Sequence, residues 1–459
     1  MKNRRLFSLF FLFIMLLSTL LPPAAYAAEE TGAAAAPEIT SRAALLIDPA
    51  TEEILYEKNI HERLYPASLT KIMSALLVFE AIDRGELSMD QMLTASETAI
   101  SSVPYDASTA NIKAGESLSV ENLLYCMLVV SANEACNIFA EEISGSIDAF
   151  VEAMNAKAAE LGCENTHFAN ANGLHDDDHY TTAWDLYLIT KAAREHEDFM
   201  TICDTQYFTL PATEYNDSRT YYTTNYLLSQ YRALGYLYQY AHGIKTGYTS
   251  NAGNCLISTA SKNGRTLLGV ILGADRMEQE DGSSRVMSFV EMVDLFDWGF
   301  DNFTRRTILT SDELVYELPV DLSERDFVVL HPAEDVERLL PNDLNVEDLT
   351  RTITPVSEMV DAPISAGDVL GEIVISYGDT VYATVPLLAL TDVDASRLLV
   401  FRRNALEFIQ RREVKIAAVV VVVLIIAILL FIKFSGRRRR RYGRSRTYTY
   451  GSSYRGRRR

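Results

Sequence analysis

Residues 416–432 are an unbroken run of apolar side chains, followed at once by Lys433 and the five arginines at 437–441. As a helix, 17 such residues just suffice to cross a bilayer, where every backbone polar group must be paired within the segment. Basic residues just past a span stay in the cytoplasm, so the expected topology has residues 433–459 inside and the body outside. The other end agrees. Lys2, Arg4 and Arg5 precede an apolar stretch over 6–21 and then Pro-Pro-Ala-Ala-Tyr-Ala, with small residues at Ala25 and Ala27. That is the layout of a secretory signal peptide over 1–27, with an uncleaved anchor as the alternative. The sequence thus predicts a single-pass protein of the cell membrane.

The tail interleaves arginine and tyrosine. It reads as a disordered stop-transfer segment touching anionic lipid head groups rather than as a nucleic-acid binder. The net charge of −20 hides a split: the two ends hold 15 basic groups and no acid, which leaves 28–432 with 27 basic and 62 acidic residues, a formal −35. So acidic a body repels nucleic acid. Five cysteines (Cys126, Cys136, Cys163, Cys203, Cys255) lack metal-site spacing and read mostly as buried thiols, with a disulfide left open.

Residues 28–40, rich in Ala, Glu and Pro, read as a flexible leader. Two short strand-like runs at 43–48 and 53–56 make a plausible hairpin. A helix is expected from Pro66, another over 120–143, β-prone runs at 252–258 and 266–272, and closing helices over 284–303. From about Thr307, short alternating runs (327–330, 373–376, 381–385) lie between acidic, Pro- and Gly-bearing turns. They predict a small β-rich domain, so the division is 41–303 for the first domain and 304–395 for the second. Residues 396–415 pattern as an amphipathic helix lying on the membrane, or as a rigid stalk.

Three stretches carry chemistry. In YPASLTK, Pro66 suits a first helical turn, and Ser68 and Lys71 stand one turn apart on the same face. A neutral lysine can take the proton of a neighbouring hydroxyl, but its pKa must first fall from about 10.4 through burial or a nearby cation. S-x-x-K occurs once here, about as chance allows. Ser131-Ala132-Asn133 interrupts the apolar 120–143 pattern, where buried polar groups need partners. Ser131 can relay a proton and Asn133 can hold a substrate amide; a local helix cap is the alternative, and S-x-N recurs at Ser261 and Asn263. Lys245-Thr246-Gly247 pairs two carboxylate-gripping side chains with a glycine that admits close backbone approach. A surface turn would also accommodate it.

In this order, S-x-x-K, S-x-N and K-T-G resemble the signature of penicillin-recognising serine enzymes. "AALLIDPATEEILYEKNIHERLYPASLTKIMSALL", "ELGCENTHFANANGLHDDDHYTTAWDL" and "GIKTGYTSNAGNCLISTASKNGRTLLGVILGA" resemble the D-alanyl-D-alanine carboxypeptidases, the low-molecular-mass penicillin-binding proteins. "APISAGDVLGEIVISYGDTVYATVPLLAL" is similar to their β-rich C-terminal domain. The resemblance spans roughly 40–395. It implies an α/β (α+β) catalytic domain, an antiparallel sheet flanked by helices, followed by the β domain and the membrane helix. It further implies that Ser68 is the acylated nucleophile, Lys71 its base and Ser131 a proton relay, with Asn133 lining the cleft. Lys245 and Thr246 would hold the terminal carboxylate, Lys245 would also depress the Lys71 pKa, and the backbone N–H groups of Ser68 and Tyr248 would form the oxyanion hole. Position 248 is commonly histidine in well-known members, so a side-chain role there does not carry over.

No cofactor or metal is implied. The partners are peptidoglycan stem peptides, β-lactams, the cytoplasmic membrane and anionic lipids. Three rivals compete. A β-lactamase would need a deacylating element near Glu160 or Glu164, but neither has an asparagine four residues later. A metallopeptidase would use His175 and His179. A sensor or wall-binding module would keep the fold and lose turnover.

Overall fold

The computed structural model describes residues 35–279 and 282–441. The expected signal peptide, most of the leader and the tail beyond Arg441 lie outside the described residues. Two compact units emerge, one of residues up to Thr307 with Glu337–Asp348, the other of Ile308–Val336 with the rest from Leu349.

In the first unit, β1 (Ala43–Asp48) and β2 (Glu53–Lys58) form the hairpin that the sequence predicts, with the Asp48 carboxylate accepting from the Ala50 N–H at its turn. Helix α1 (Lys71–Asp83) follows, and then α2 (Val120–Leu128) and α3 (Asn133–Ser144). A small hairpin, β3 (Tyr207–Leu210) and β4 (Arg219–Tyr222), precedes the long strands β5 (Ala241–Thr249), β6 (Gly253–Lys262) and β7 (Arg265–Ala274). Helix α4 (Met287–Asn302) closes the unit. The main sheet runs β2-β1-β7-β6-β5, antiparallel throughout.

Alternation explains why this sheet is covered on both faces. Along β1, Ala43, Leu45 and Ile47 enter the core shared with α1, α2 and α3, while Ala44 and Leu46 enter the one shared with α4. Strand β7 divides likewise, with Leu268, Val270 and Leu272 on one side and Leu267 and Ile271 on the other. A strand buried on both faces reads as a continuous apolar run, which is how AALLID appears in sequence. Each fully buried Leu or Ile contributes about 1.5–3 kcal/mol.

Five expectations need correction. The 120–143 pattern is two helices, because Ser131 takes a left-handed φ of 69° and the Asn133 N–H bonds to the distant Ser108 carbonyl. Apolar periodicity cannot register that tertiary contact. The stretch 284–303 opens with a short strand, Ser284–Val286, paired with Arg276–Glu278, before α4 begins. The leader is anchored by its last residues: Ile39 is buried, and the Thr40 N–H and hydroxyl both reach the Glu291 carboxylate at 2.6 Å. The last two, at Arg411 and past Lys433, come with the second unit.

The second unit holds β8 (Tyr316–Asp321), β9 (Phe327–Pro332), β10 (Thr350–Pro355), β11 (Val360–Asp361), β12 (Val369–Tyr377) and β13 (Thr380–Ala389), in the order β10-β12-β13-β9-β8-β11. Then come α5 (Arg397–Gln410) and α6 (Arg412–Arg441), so residues 412–415 belong to the long helix rather than to the juxtamembrane one. Arg412–Phe434 is long and apolar enough to cross a membrane. Helix α6 runs on into the segment expected to be disordered. With no proline there, a helix already nucleated extends at little cost.

Candidate active site

The stretch Ala67–Thr70 forms a single 3-10 turn leading into α1. This places Ser68 beside Lys71, Oγ to Nζ 3.0 Å. Lys71 is fully buried, and its ammonium also donates to the Asn133 side-chain oxygen at 2.7 Å and to the Asn172 carbonyl at 2.5 Å. Burial lowers the Lys71 pKa to about 8, although Cys136 and Glu134 pull the other way. Lys245, buried on β5, is lowered further to about 7 by burial and then by the Lys71 ammonium. Burial, rather than the second cation, is thus the main cause at Lys71, and the repulsion between the lysines falls on Lys245.

Ser131 follows from the break between α2 and α3. Its left-handed backbone turns a buried hydroxyl into the cleft, where it has no hydrogen-bond partner among the described residues. Such a backbone costs about 1–3 kcal/mol and marks a place where structure overrides local preference. Asn133, the first residue of α3, holds Lys71 as above.

Lys245-Thr246-Gly247 runs along the edge strand β5 beside the Ser68 turn. A Cβ at Gly247 would sit 3.0 Å from the Pro66 carbonyl oxygen and 3.1 Å from the Ser68 nitrogen, so any larger residue would push the Ser68 turn back by a few tenths of an ångström. Opposite, a Cβ at Gly173 would overlap the Ala67 carbonyl. Thr246 donates its hydroxyl to Thr224 at 2.7 Å, and the Tyr248 side chain is exposed. Ser68, Ser131, Asn133, Thr246, Gly247 and Tyr248 all line one cleft of about 520 Å³. Lys71 and Lys245 are buried beneath it.

The structure adds residues that sequence reasoning missed. Asn172 lies in Asn-Ala-Asn-Gly, a turn in which the Asn170 side chain accepts from the Gly173 N–H at 2.7 Å; the turn signal was visible, but its carbonyl's role was not. Glu134 is buried and accepts from Thr109 and the Ala110 N–H, fixing the loop whose residues 104–108 form one cleft wall. Thr224, which supports Thr246, has no motif of its own.

The rival residues lie elsewhere. Both His179 ring nitrogens are engaged: Nδ1 accepts from the Ala169 N–H at 3.1 Å and Nε2 faces the Thr70 hydroxyl at 2.8 Å. Burial lowers its pKa to about 4, so it is neutral, and His175 bonds to Asn251 instead. Among the described residues no group of His, Cys, Asp and Glu suits a metal ion. Glu160 and Glu164 are exposed and do not line the cleft. All five thiols are free.

Residues 30–276 match the profile of a family described as D-alanyl-D-alanine carboxypeptidase. The chain belongs to that family. Outside its catalytic part, 303–395 match the profile of the C-terminal domain of penicillin-binding protein 5. Among relatives of this carboxypeptidase family, the D-alanyl-D-alanine carboxypeptidase DacF of Bacillus subtilis is 30% identical over 80% of this chain and 89% of its own. The solved structure of penicillin-binding protein 5 from Haemophilus influenzae superposes with a TM-score of 0.63 at 28% identity, covering 79% of this chain and 99% of that one. The carboxypeptidase DacD of Francisella tularensis gives the same TM-score at 27% identity, over 79% and 95%.

Proposed function

We propose that this chain is a membrane-anchored serine D-Ala-D-Ala carboxypeptidase that removes the terminal D-alanine from peptidoglycan stem pentapeptides and is trapped by β-lactams. The observation that carries the reading is the 3.0 Å contact between Ser68 Oγ and a buried Lys71 whose pKa is held near 8. At neutral pH about a tenth of such lysines are free bases. Lys245 and Thr246 receive the substrate's terminal carboxylate. That negative charge favours protonated Lys245, whose repulsion favours neutral Lys71, so binding helps prepare the base.

Ser68 Oγ then attacks the carbonyl carbon of the penultimate residue, and its proton passes to Lys71 Nζ. The oxyanion forms against the backbone N–H groups of Ser68 and Tyr248, which the Gly247 approach brings together. As the C–N bond breaks, Lys71 returns that proton to the leaving amine through Ser131, whose hydroxyl has no competing partner among the described residues. Neutral Lys71 then takes a proton from water as it attacks the ester carbon, and passes it to Ser68 Oγ as the C–O bond breaks. Asn133 orients Lys71 and meets the substrate amide.

The same reading takes 1–27 as a signal peptide and 28–40 as a leader. It assigns 41–303 to the catalytic domain, 304–395 to the β domain, 396–411 to the membrane surface and the span to Arg412–Phe434. The body lies outside the membrane, with the basic tail in the cytoplasm against anionic lipids. The test is D-alanine release from a soluble stem pentapeptide by the detergent-solubilised chain. Wild type should release it and bind labelled penicillin, and Ser68→Ala should do neither. Label without release would instead favour a sensor.

A further inference from the structure

The hairpin β3–β4 has two aromatic faces. Its cross-strand pair Phe208 and Tyr221 turns inward, Phe208 buried against Tyr125 and the Tyr221 hydroxyl bonded to the Ala110 carbonyl at 2.5 Å. That is the ordinary use of such a pair. The adjacent pair, Tyr207 and Tyr222, faces outward and is joined by Tyr231 from the following loop. Ring centroids lie 5.3–6.2 Å apart, and the Arg232 guanidinium sits 4.9 Å over the Tyr222 ring. Tyr207 and Tyr231 are 51% and 55% exposed. Exposed aromatic clusters of this kind mark interaction surfaces.

The patch lies close to the catalytic cleft along the chain. Tyr222 stands two residues before Thr224, the cleft residue that supports Thr246, so their Cα atoms are within about 7 Å. The hairpin is also clamped to the loop forming the opposite cleft wall. Arg219 pairs with buried Glu116 at 2.7 Å and donates to the Ala110 carbonyl at 3.2 Å. The platform is therefore held rigid beside the site.

We propose that Tyr207, Tyr222 and Tyr231 form a platform for the glycan strand that carries the stem peptide, so that the preferred substrate is glycan-linked rather than free pentapeptide. This rests on the proposed carboxypeptidase reading. With its terminal residue in the cleft, an extended pentapeptide places its sugar end no more than about 17 Å away. Tyrosine suits that ligand, because its ring face stacks on the C–H face of a pyranose while its hydroxyl meets the sugar's own. The glycan backbone is uncharged, so a body with a formal −35 does not repel it.

The experiment compares kcat/KM of the full-length solubilised chain on soluble pentapeptide and on peptidoglycan strands bearing the same peptide. Tyr231→Ala and the strand-compatible Tyr207→Thr should each lose about tenfold on the strands, while free-peptide turnover and penicillin acylation stay within twofold. Equal kcat/KM on the strands, or an equal fall on both substrates, would overturn the proposal. A second measurement needs no variant: wild type should be retained by strands stripped of their peptides and amidated at each freed carboxyl so that they stay uncharged, and failure to bind them would also overturn it. Loss of free-peptide release and penicillin labelling in wild type would instead refute the carboxypeptidase reading itself.

Discussion

The two units treat polarity in opposite ways. In the first, a buried set that includes Lys71, Ser131, Asn133, Glu134 and Lys245 underlies one cleft. In the second, the buried side chains among the described residues are apolar, and its ion pairs, such as Arg403 with Asp361 at 2.7 Å, stand in solvent. Burying an ammonium costs several kcal/mol even after relaxation, and a regular β-sheet has no use for that cost. Where the cost is retained, it supplies a lysine with a lowered pKa and a hydroxyl with a vacant bond. The contrast separates a unit with a buried polar site from one whose core is apolar.

The contrast can be broken by substitution. Lys71→Met keeps the volume and removes the base, so penicillin acylation, followed by stopped-flow fluorescence, should fall at least about 10³-fold. A smaller loss would mean that another group takes the Ser68 proton. Gly247→Ala places a methyl against the Pro66 carbonyl and the Ser68 nitrogen. Acylation should drop about 10²-fold through misplacement of the nucleophile, with the melting temperature changed by only a few degrees.

The pH profile sharpens the same point. Reaction needs Lys71 neutral, favoured above about 8, and Lys245 charged, favoured below about 7. Their product gives a bell in kcat/KM centred near ~7.5, falling about tenfold per pH unit on each flank. Lys245→Gln should remove the alkaline flank while lowering the whole curve. The smallest effect belongs to the second unit. Arg403→Ala breaks exposed pairs with Asp321, Asp361 and Glu407, so the chemical denaturation midpoint should barely move and acylation should be unchanged.

Much of the fold was legible because its signals are local. The continuous apolar run in AALLID and the Pro66 helix start each depend on neighbours in sequence, as does the apolar run at 416–432. The chemical motifs were legible too: Ser68-x-x-Lys71 is a single helical turn, and the polar break at Ser131 is visible against its apolar flanks. What stayed hidden acts across long separations. The Asn172 carbonyl meets Lys71 from 101 residues away, and Thr224 supports Thr246 across 22. The end of α2 was also concealed, since Val129 and Val130 continue the apolar pattern while the bond from Asn133 to Ser108 ends the helix. The depth at which Lys71 and Lys245 lie is a property of the assembled sheet and helices, which no seven-residue motif encodes.

The central claim is that Ser68 is the nucleophile. Incubating the full-length chain with benzylpenicillin, digesting it and locating the added mass by tandem mass spectrometry tests this directly. The account predicts one adduct, on the peptide containing Ser68 and absent from Ser68→Ala. An adduct on Ser131 or any other residue, or none at all, would contradict it.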